Sequence, residues 1–127
     1  MSRDTRPVFL NLFQIRLPFP GLASISHRVS GVLLFLVLPL VLWLLMKAKE
    51  SPEAFNQVVA IINSPHFLLV VLVVSWAFWH HLLAGIRFLF LDLEIGLDKT
   101  VSQRSAQLVI GLGVLAAVLS TLAWCCL

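Results

Sequence analysis

Charged residues are scarce in this sequence. Only 12% of its 127 residues are Asp, Glu, Lys or Arg, whereas 60% are hydrophobic, and the mean hydropathy is +1.00. Soluble domains carry about 25% charged residues, so the composition excludes the soluble class and places the chain among integral membrane proteins. At this length the chain forms one domain at most.

Several kinds of functional site are also missing. The two cysteines, Cys125 and Cys126, are adjacent, and this spacing strains a disulfide and does not suit zinc. The sequence has no Gly-rich phosphate loop, no nucleophile triad and no nucleic-acid motif, so the chain cannot run hydrolysis or phosphoryl transfer by itself. Its apolar runs contain no acidic residue, which argues against a proton-coupled carrier.

Three apolar runs are long enough to cross a bilayer. They occupy residues 29–46, 67–86 and 105–127, and at about 1.5 Å per residue each spans a hydrocarbon core of about 30 Å, given some tilt for the shortest. We therefore predict an all-α integral membrane fold with three transmembrane helices. The predicted segments of this single anchor domain are an arm (1–21), a first span (22–47), an interfacial helix (52–63), a second span (66–92) and a third span (104–126).

Prolines and a serine predict where two of these helices begin. Pro18 and Pro20 disfavour helix in the residues that precede them, so the first helix is expected to start only after Pro20. Ser51 followed by Pro52 is typical of a helix N-terminus with serine as the cap. Apolar residues then recur at i, i+3, i+4 and i+7, which predicts a short amphipathic helix on the outer membrane surface.

Basic residues are distributed unequally between the two sides of the predicted bundle. One side has only Lys47 and Lys49. The other has seven basic residues, namely Arg3, Arg6, Arg16, Arg28, Arg87, Lys99 and Arg104. The positive-inside rule therefore predicts a cytoplasmic N-terminus and a C-terminus outside. The first 28 residues contain four arginines and no apolar h-region, so the first span is expected to act as its own insertion signal.

Two adjacent histidines, His80 and His81, interrupt the second apolar run. An ionisable side chain inside a membrane segment usually faces protein and marks function. Neutral imidazole is a good ligand for haem iron, and Gly85, one turn after His81, leaves a gap on the same helical face. An interhelical hydrogen bond is the alternative role for His81. His80 points about 100° away, toward Trp76, and is expected to pack or to form a hydrogen bond.

A second polar cluster opens the first span. Ser24, His27, Arg28 and Gly31 are spaced i, i+3, i+4 and i+7, so on a helix they form one stripe. The Ser24 hydroxyl could donate to a carbonyl ligand, and the Arg28 guanidinium could stabilise the anion formed when that ligand is reduced. Arg28 could also hold a haem propionate or serve as an ordinary interfacial anchor. With the predicted topology both clusters occupy the same leaflet.

Taken together, the two clusters resemble the cytochrome b556 membrane-anchor subunits of bacterial succinate dehydrogenase, respiratory complex II. The resemblance covers essentially the whole chain. It is carried by Arg6-Pro7, by Ser24-x-x-His27-Arg28-x-Ser30-Gly31, and by His81-x-x-x-Gly85-Ile-Arg87 with Asp92. It implies a subunit of the bacterial inner membrane with a periplasmic C-terminus and no catalytic activity alone. The implied partners are a flavoprotein subunit, an iron–sulphur subunit, a second small haem-binding anchor subunit and membrane lipid.

The resemblance also implies roles for individual residues. His81 matches the axial ligand of haem b, whose second ligand is a histidine of the second anchor subunit. Ser24 and Arg28 match the serine and arginine that bind ubiquinone. His27, Arg28 and Gly85 match the haem pocket, with His27 and Arg28 near the propionates.

Two positions depart from the family pattern or match nothing in it. His80 matches no position with a known role, and Phe88 stands where some relatives have histidine. Two alternative functions stay open from the sequence. One is an anchor for fumarate reductase or another quinone-linked respiratory enzyme, and the other is a small membrane protein without a cofactor.

Overall fold

The computed structural model describes residues 17–126, which form helices and no strand. Four helices follow one another in this range: α1 (Phe19–Ala48), α2 (Pro52–Ile62), α3 (Phe67–Asp92) and α4 (Lys99–Cys125). The long helices α1, α3 and α4 contain 30, 26 and 27 residues, and each is long and apolar enough to cross a membrane. The predicted all-α fold with three membrane helices and a short helix between the first two is confirmed.

The first and last long helices begin earlier than expected. Pro18 is extended and precedes α1, whereas Pro20 lies inside its first turn. The first N–H groups of a helix have no intrahelical partner, so a proline in that turn removes no hydrogen bond. α4 begins at Lys99, which places Arg104 within the helix. Most of the predicted arm lies outside the described residues, including Arg3, Arg6, Pro7 and Arg16.

The short helix α2 starts as the sequence predicts. The Ala54 backbone N–H donates to Ser51 Oγ at 3.1 Å, and Pro52 is the first helical residue. α2 lies beside α1, and Val58 is buried while Phe55 and Val59 remain exposed. The apolar side chains of this helix are therefore available to the membrane interface, as expected of an amphipathic surface helix.

The helix α3 lies between α1 and α4, and its contact with α4 is the most extensive. Small residues occupy the contacts between the long helices, because they let helix backbones approach closely. The buried ones are Ala23, Ala77, Ala84, Ala106, Gly113 and Ala117. Large apolar side chains such as Phe35 and Leu36 point outward. The bundle thus presents an apolar surface to its surroundings and keeps several polar side chains in its helix contacts.

Candidate functional site

The two polar clusters predicted from the sequence meet where α1 packs against α3. The imidazole rings of His27 and His81 are stacked, with 4.1 Å between ring centroids and 9° between ring planes. The Phe88 ring meets His27 edge-on at 5.2 Å between centroids. Both histidines are only half-buried, so the stacked pair lies at the border of the bundle, where a ligand or another helix can reach it.

Two oxygen atoms of α1 hold the His81 ring. Its Nδ1 lies 3.1 Å from the His27 carbonyl oxygen and 3.2 Å from Ser30 Oγ. Across residues 17–126, Nε2 of His81 has no hydrogen-bond partner. A histidine that ligates a metal commonly donates its other ring N–H to a backbone carbonyl, so this donor arrangement fits a haem-iron ligand. The interhelical hydrogen bond and the ligand role, treated as alternatives above, are compatible because they use different nitrogens.

Two glycines provide space for the stacked rings. A Cβ on Gly31 would lie 2.9 Å from Cε1 of His81, closer than real Cβ contacts come, whereas a Cβ on Gly85 would meet His27 Nε2 at an ordinary 3.5 Å. The gap at Gly85, expected beside His81, therefore lies beside His27. The glycine that accommodates His81 is Gly31, on the neighbouring helix.

Ser24 and Arg28 lie on the same stripe of α1, one turn apart and about 6 Å along the helix axis. Ser24 is half-buried and Arg28 is exposed. The stripe contacts α3 at His27 and Gly31 and is open at Arg28. A ligand that met both Ser24 and Arg28 would therefore lie beside the stacked histidines, at the same end of the bundle.

His80 points away from this site into the packed side of the bundle. Its residue surface is 1% exposed, and its ring stacks on Trp76 at 5.5 Å between centroids. Gly113 of α4 packs on it, since a Cβ there would lie 3.2 Å from His80 Cα. The Ala23 backbone is near the ring but not in hydrogen-bond geometry, and among the described residues neither ring nitrogen has a partner. The expected contact with Trp76 and the packing role agree with this position.

Arg87 is a buried residue whose contact the sequence analysis missed. It is 6% exposed, and its Nε donates to Ser105 Oγ at 3.0 Å. Its Nη2 donates to the carbonyl and the hydroxyl of Ser102, at 3.1 and 3.0 Å. Nη1 has no partner within the part of the chain that the structure describes. From the sequence alone, Arg87 is one of the basic residues that predict the orientation of the chain. Its spacing of seven residues from His80 was the available signal, because i and i+7 share a helical face.

Ser30 is a second residue without a predicted role. It is fully buried, and its hydroxyl donates to the His27 carbonyl at 2.8 Å. A serine bonded to the carbonyl one turn earlier is common in helices, so nothing on α1 alone points to His81. The contact becomes visible only once α3 is placed against α1.

Known proteins are similar in sequence to this chain along nearly its whole length. Residues 2–120 match the family model described as succinate dehydrogenase/fumarate reductase transmembrane subunit. The succinate dehydrogenase cytochrome b556 subunit of Paracoccus denitrificans is 35% identical over 120 residues, which cover 94% of this chain and 92% of that protein. The protein of the same name from Coxiella burnetii is 35% identical over 116 residues, or 91% and 93% of the two chains. Since the family match includes both polar clusters and most of all three membrane helices, the chain belongs to the succinate dehydrogenase/fumarate reductase transmembrane subunit family.

Proposed function

We propose that this chain is a cytochrome b556-type membrane anchor of succinate dehydrogenase that contributes one axial ligand of haem b and part of the quinone-reduction site. Its family and the names of its relatives support the anchor role. The haem role is carried by one observation. Nδ1 of His81 faces two oxygen atoms, and Nε2 has no hydrogen-bond partner within residues 17–126.

When bound, haem b supplies a one-electron carrier between the membrane helices. His81 would ligate the iron through Nε2, and the His27 ring and the Arg28 guanidinium would bind the propionates, with Gly85 leaving space for His27. His80 is buried on another face of α3 and cannot reach the same site. As the family resemblance implies, the second ligand would be a histidine of the second small anchor subunit.

Ser24 and Arg28 would bind ubiquinone. The Ser24 hydroxyl donates to a quinone carbonyl oxygen, and the Arg28 guanidinium stabilises the negative charge that reduction places on an oxygen. Both side chains are accessible in this chain. Succinate is oxidised on the flavoprotein subunit, and its electrons arrive through the iron–sulphur subunit, so this chain contributes no catalytic residue to succinate oxidation.

The exposed surface of α1 supports the proposed assembly. Its buried residues are Ala23 and Ser30, whereas large apolar side chains along its length are exposed. Lipid and the second anchor subunit would cover this surface. The unequal basic residues support a bacterial inner-membrane orientation with a cytoplasmic N-terminus and a periplasmic C-terminus. The iron–sulphur and flavoprotein subunits would then dock at the end that carries Arg28.

The matched family also includes transmembrane subunits of fumarate reductase, which is an alternative function for this chain. Both relatives named above carry the succinate dehydrogenase name, which favours succinate oxidation as the working reaction. The position of the His81 nitrogens favours a cofactor-binding chain over a small membrane protein without a cofactor.

A reduced-minus-oxidised spectrum of the detergent-purified complex tests the haem assignment. We expect a b-type band in the wild type, its loss or shift in His81→Leu, and its retention in His80→Leu. His80→Leu is a matched control, because it is the same change from histidine to leucine one position earlier, on another face of α3. A band lost in His80→Leu alone would reverse the ligand assignment, and a wild type without the band would remove the haem role.

Two measured activities separate the quinone site from assembly. In Ser24→Ala and Arg28→Leu we expect impaired quinone reduction, while succinate oxidation with an artificial acceptor stays largely intact. Equal loss of both activities would show failed assembly instead of a damaged quinone site.

A further inference from the structure

We propose that Ser30 and Gly31 are positioning residues for His81, which fix its tautomer and its orientation before any cofactor is bound. This inference rests on the proposed role of His81 as a haem ligand. It goes further in assigning a role to two residues of α1 that touch neither iron nor quinone.

The hydrogen bonds around Nδ1 determine where the ring proton lies. Ser30 has one hydroxyl hydrogen, and it is donated to the His27 carbonyl at 2.8 Å. The two atoms that face Nδ1 of His81, Ser30 Oγ at 3.2 Å and the same carbonyl oxygen at 3.1 Å, can then only accept. These contacts favour a proton on Nδ1. In the neutral ring, the lone pair is left on Nε2.

The opposite tautomer is disfavoured by the same contacts. If the Ser30 hydroxyl turned to donate to Nδ1, the lone pair of Nδ1 would still face the His27 carbonyl oxygen at 3.1 Å. That carbonyl would also lose the bond from Ser30. The observed arrangement instead gives the carbonyl oxygen two donors, the Ser30 hydroxyl and the Nδ1 N–H of His81, and sets no two lone pairs against each other.

Gly31 limits where the ring can lie. A Cβ at this position would come within 2.9 Å of Cε1 and 3.4 Å of Nδ1 of His81. One turn earlier on α1, the His27 ring stacks on His81 with 9° between the planes. The ring thus contacts the Gly31 backbone and the His27 ring, while the two acceptors at Nδ1 oppose rotation about its Cβ–Cγ bond.

Acceptors at Nδ1 also affect the ligand strength of Nε2. A hydrogen bond donated by the distal ring nitrogen raises the basicity of a metal-ligating histidine and fixes its orientation. A more basic ligand favours ferric over ferrous iron. Removal of the Ser30 hydroxyl leaves one acceptor, the His27 carbonyl, so the ring should become less basic and freer to rotate.

The test uses the whole detergent-purified complex and two readouts other than activity. They are the haem midpoint potential and the electron paramagnetic resonance g-values of the ferric haem, which respond to the orientation of the axial rings. In Ser30→Ala we expect a b-type haem with changed g-values and a higher potential. A tenfold change in the ferric-to-ferrous preference corresponds to about 59 mV for a one-electron couple.

Four further variants isolate the contributions of the hydroxyl and the glycine. Ser30→Thr keeps the hydroxyl and should give the wild-type values, whereas Ser30→Cys keeps one heavy atom on Cβ but offers only a weak acceptor and should behave like Ser30→Ala. Ser26→Ala is the matched control, since it removes a serine hydroxyl from the same helix one turn earlier. Gly31→Ala should shift the g-values more than Ser30→Ala, because the added methyl group displaces the ring itself.

The outcomes distinguish this inference from the proposed function. A wild-type b-type spectrum with unchanged potential and g-values in Ser30→Ala would overturn the inference and leave the haem role intact. An equal change in Ser26→Ala would also overturn it. A wild type without the spectrum would overturn the proposed haem role and the inference with it. If the complex with Ser30→Ala fails to assemble, the potential and the g-values of Ser30→Cys test the inference in the same way.

Discussion

The polar residues on the two sides of α3 differ in burial and in hydrogen bonding. On the side of α1, His81 is half-buried, forms hydrogen bonds through one nitrogen and has no partner for the other within residues 17–126. On the side of α4, His80 and Arg87 are almost fully buried. Adjacent residues on a helix point about 100° apart, so His80 and His81 enter two different environments. The first side is open and suits a ligand, whereas the second is closed and holds the helices together.

The side of α3 that faces α4 contains buried polar atoms without hydrogen-bond partners. Both nitrogens of His80 and Nη1 of Arg87 lack partners among the described residues. Such groups raise the free energy of the folded state unless other contacts compensate. The compensation here is close helix packing through small residues and the three hydrogen bonds of Arg87 to Ser102 and Ser105. The following predictions test whether the two sides are independent.

Gly113→Val should give the largest structural effect, because it places a branched side chain against the His80 backbone. Its Cβ would lie 3.2 Å from His80 Cα, and a backbone atom cannot move aside as a flexible side chain can. We expect α4 to separate from α3 with a loss of about 3 kcal/mol. The measurements are the level of the chain in membranes and the melting temperature of the purified complex.

Gly111→Val is the matched control for that variant. A Cβ on Gly111 would meet nothing within 4 Å, so the same substitution two residues away should change stability by no more than about 0.5 kcal/mol. Equal destabilisation by the two variants would contradict the packing role of Gly113.

Arg87→Met should weaken the same helix contact by a smaller amount. It removes three hydrogen bonds donated by a charged group, and hydrogen bonds of this kind contribute about 1.5–3 kcal/mol. The apolar Met side chain forms none of them, but it also removes the cost of burying a charged group, so we expect the free energy of unfolding of the complex to fall by about 2 kcal/mol. Arg104→Met, at an exposed position of α4, should have almost no effect.

Arg87→Lys sharpens that prediction, because it separates charge from geometry. A lysine keeps the positive charge, but its single ammonium group cannot reproduce the planar fork that reaches both Ser102 and Ser105. We therefore expect most of the loss seen in Arg87→Met. Full stability of Arg87→Lys would show that charge alone matters at this position. A haem spectrum that changed in either variant would show that the two sides of α3 are coupled.

The sequence predicted features that one helix determines by itself. The apolar runs predicted three membrane helices, Ser51 predicted the cap of α2, and the 100° rule predicted that His80 and His81 diverge. It failed where the neighbouring helix decides the environment. Gly85 was expected to provide space beside His81, but that space comes from Gly31, because the facing residue belongs to α1 and its register is a tertiary property.

Boundaries and burial were predicted less well for related reasons. The sequence predicts that α1 starts only after Pro20, but the first turn of a helix tolerates proline and Pro20 lies inside that turn. From the sequence, Arg87 enters only the count of basic residues that predicts the orientation of the chain. Only the position of α4 shows that its guanidinium is buried against two serines. Periodicity gives the face of a helix, and packing decides which side chain that face meets.

His80→Leu should have a small effect of either sign. It removes two buried nitrogens that have no partners among residues 17–126, which is favourable, and it loses the stack on Trp76, which is unfavourable. We expect the free energy of unfolding of the complex to lie within about 1 kcal/mol of the wild-type value. A loss of about 3 kcal/mol or more would indicate a hydrogen-bond partner for His80, such as a buried water, and would make the closed side a polar network.

Ser51→Ala should have an effect that stays within α2. The variant removes the acceptor of the Ala54 N–H, which in helix caps costs about 1 kcal/mol.

Ser51→Ala also affects Glu53, whose pKa lies below its ordinary value of 4.5 because of hydrogen bonds from its own backbone N–H and from the Ser51 side chain. A lowered pKa in the folded state means that the ionised carboxylate stabilises the fold above the unfolded pKa, and that this contribution is lost as the pH falls through the folded pKa. The Glu53 part of the difference between Ser51→Ala and wild type should therefore be present at neutral pH and shrink as the medium is acidified below 4.5. The measurement is hydrogen exchange of the α2 amides in the purified complex, taken as the ratio of variant to wild type at each pH. Faster exchange in α2 with unchanged exchange in α3 and an unchanged haem spectrum would support an independent surface helix, whereas altered exchange around His80 or His81 would show that α2 supports the bundle through α1.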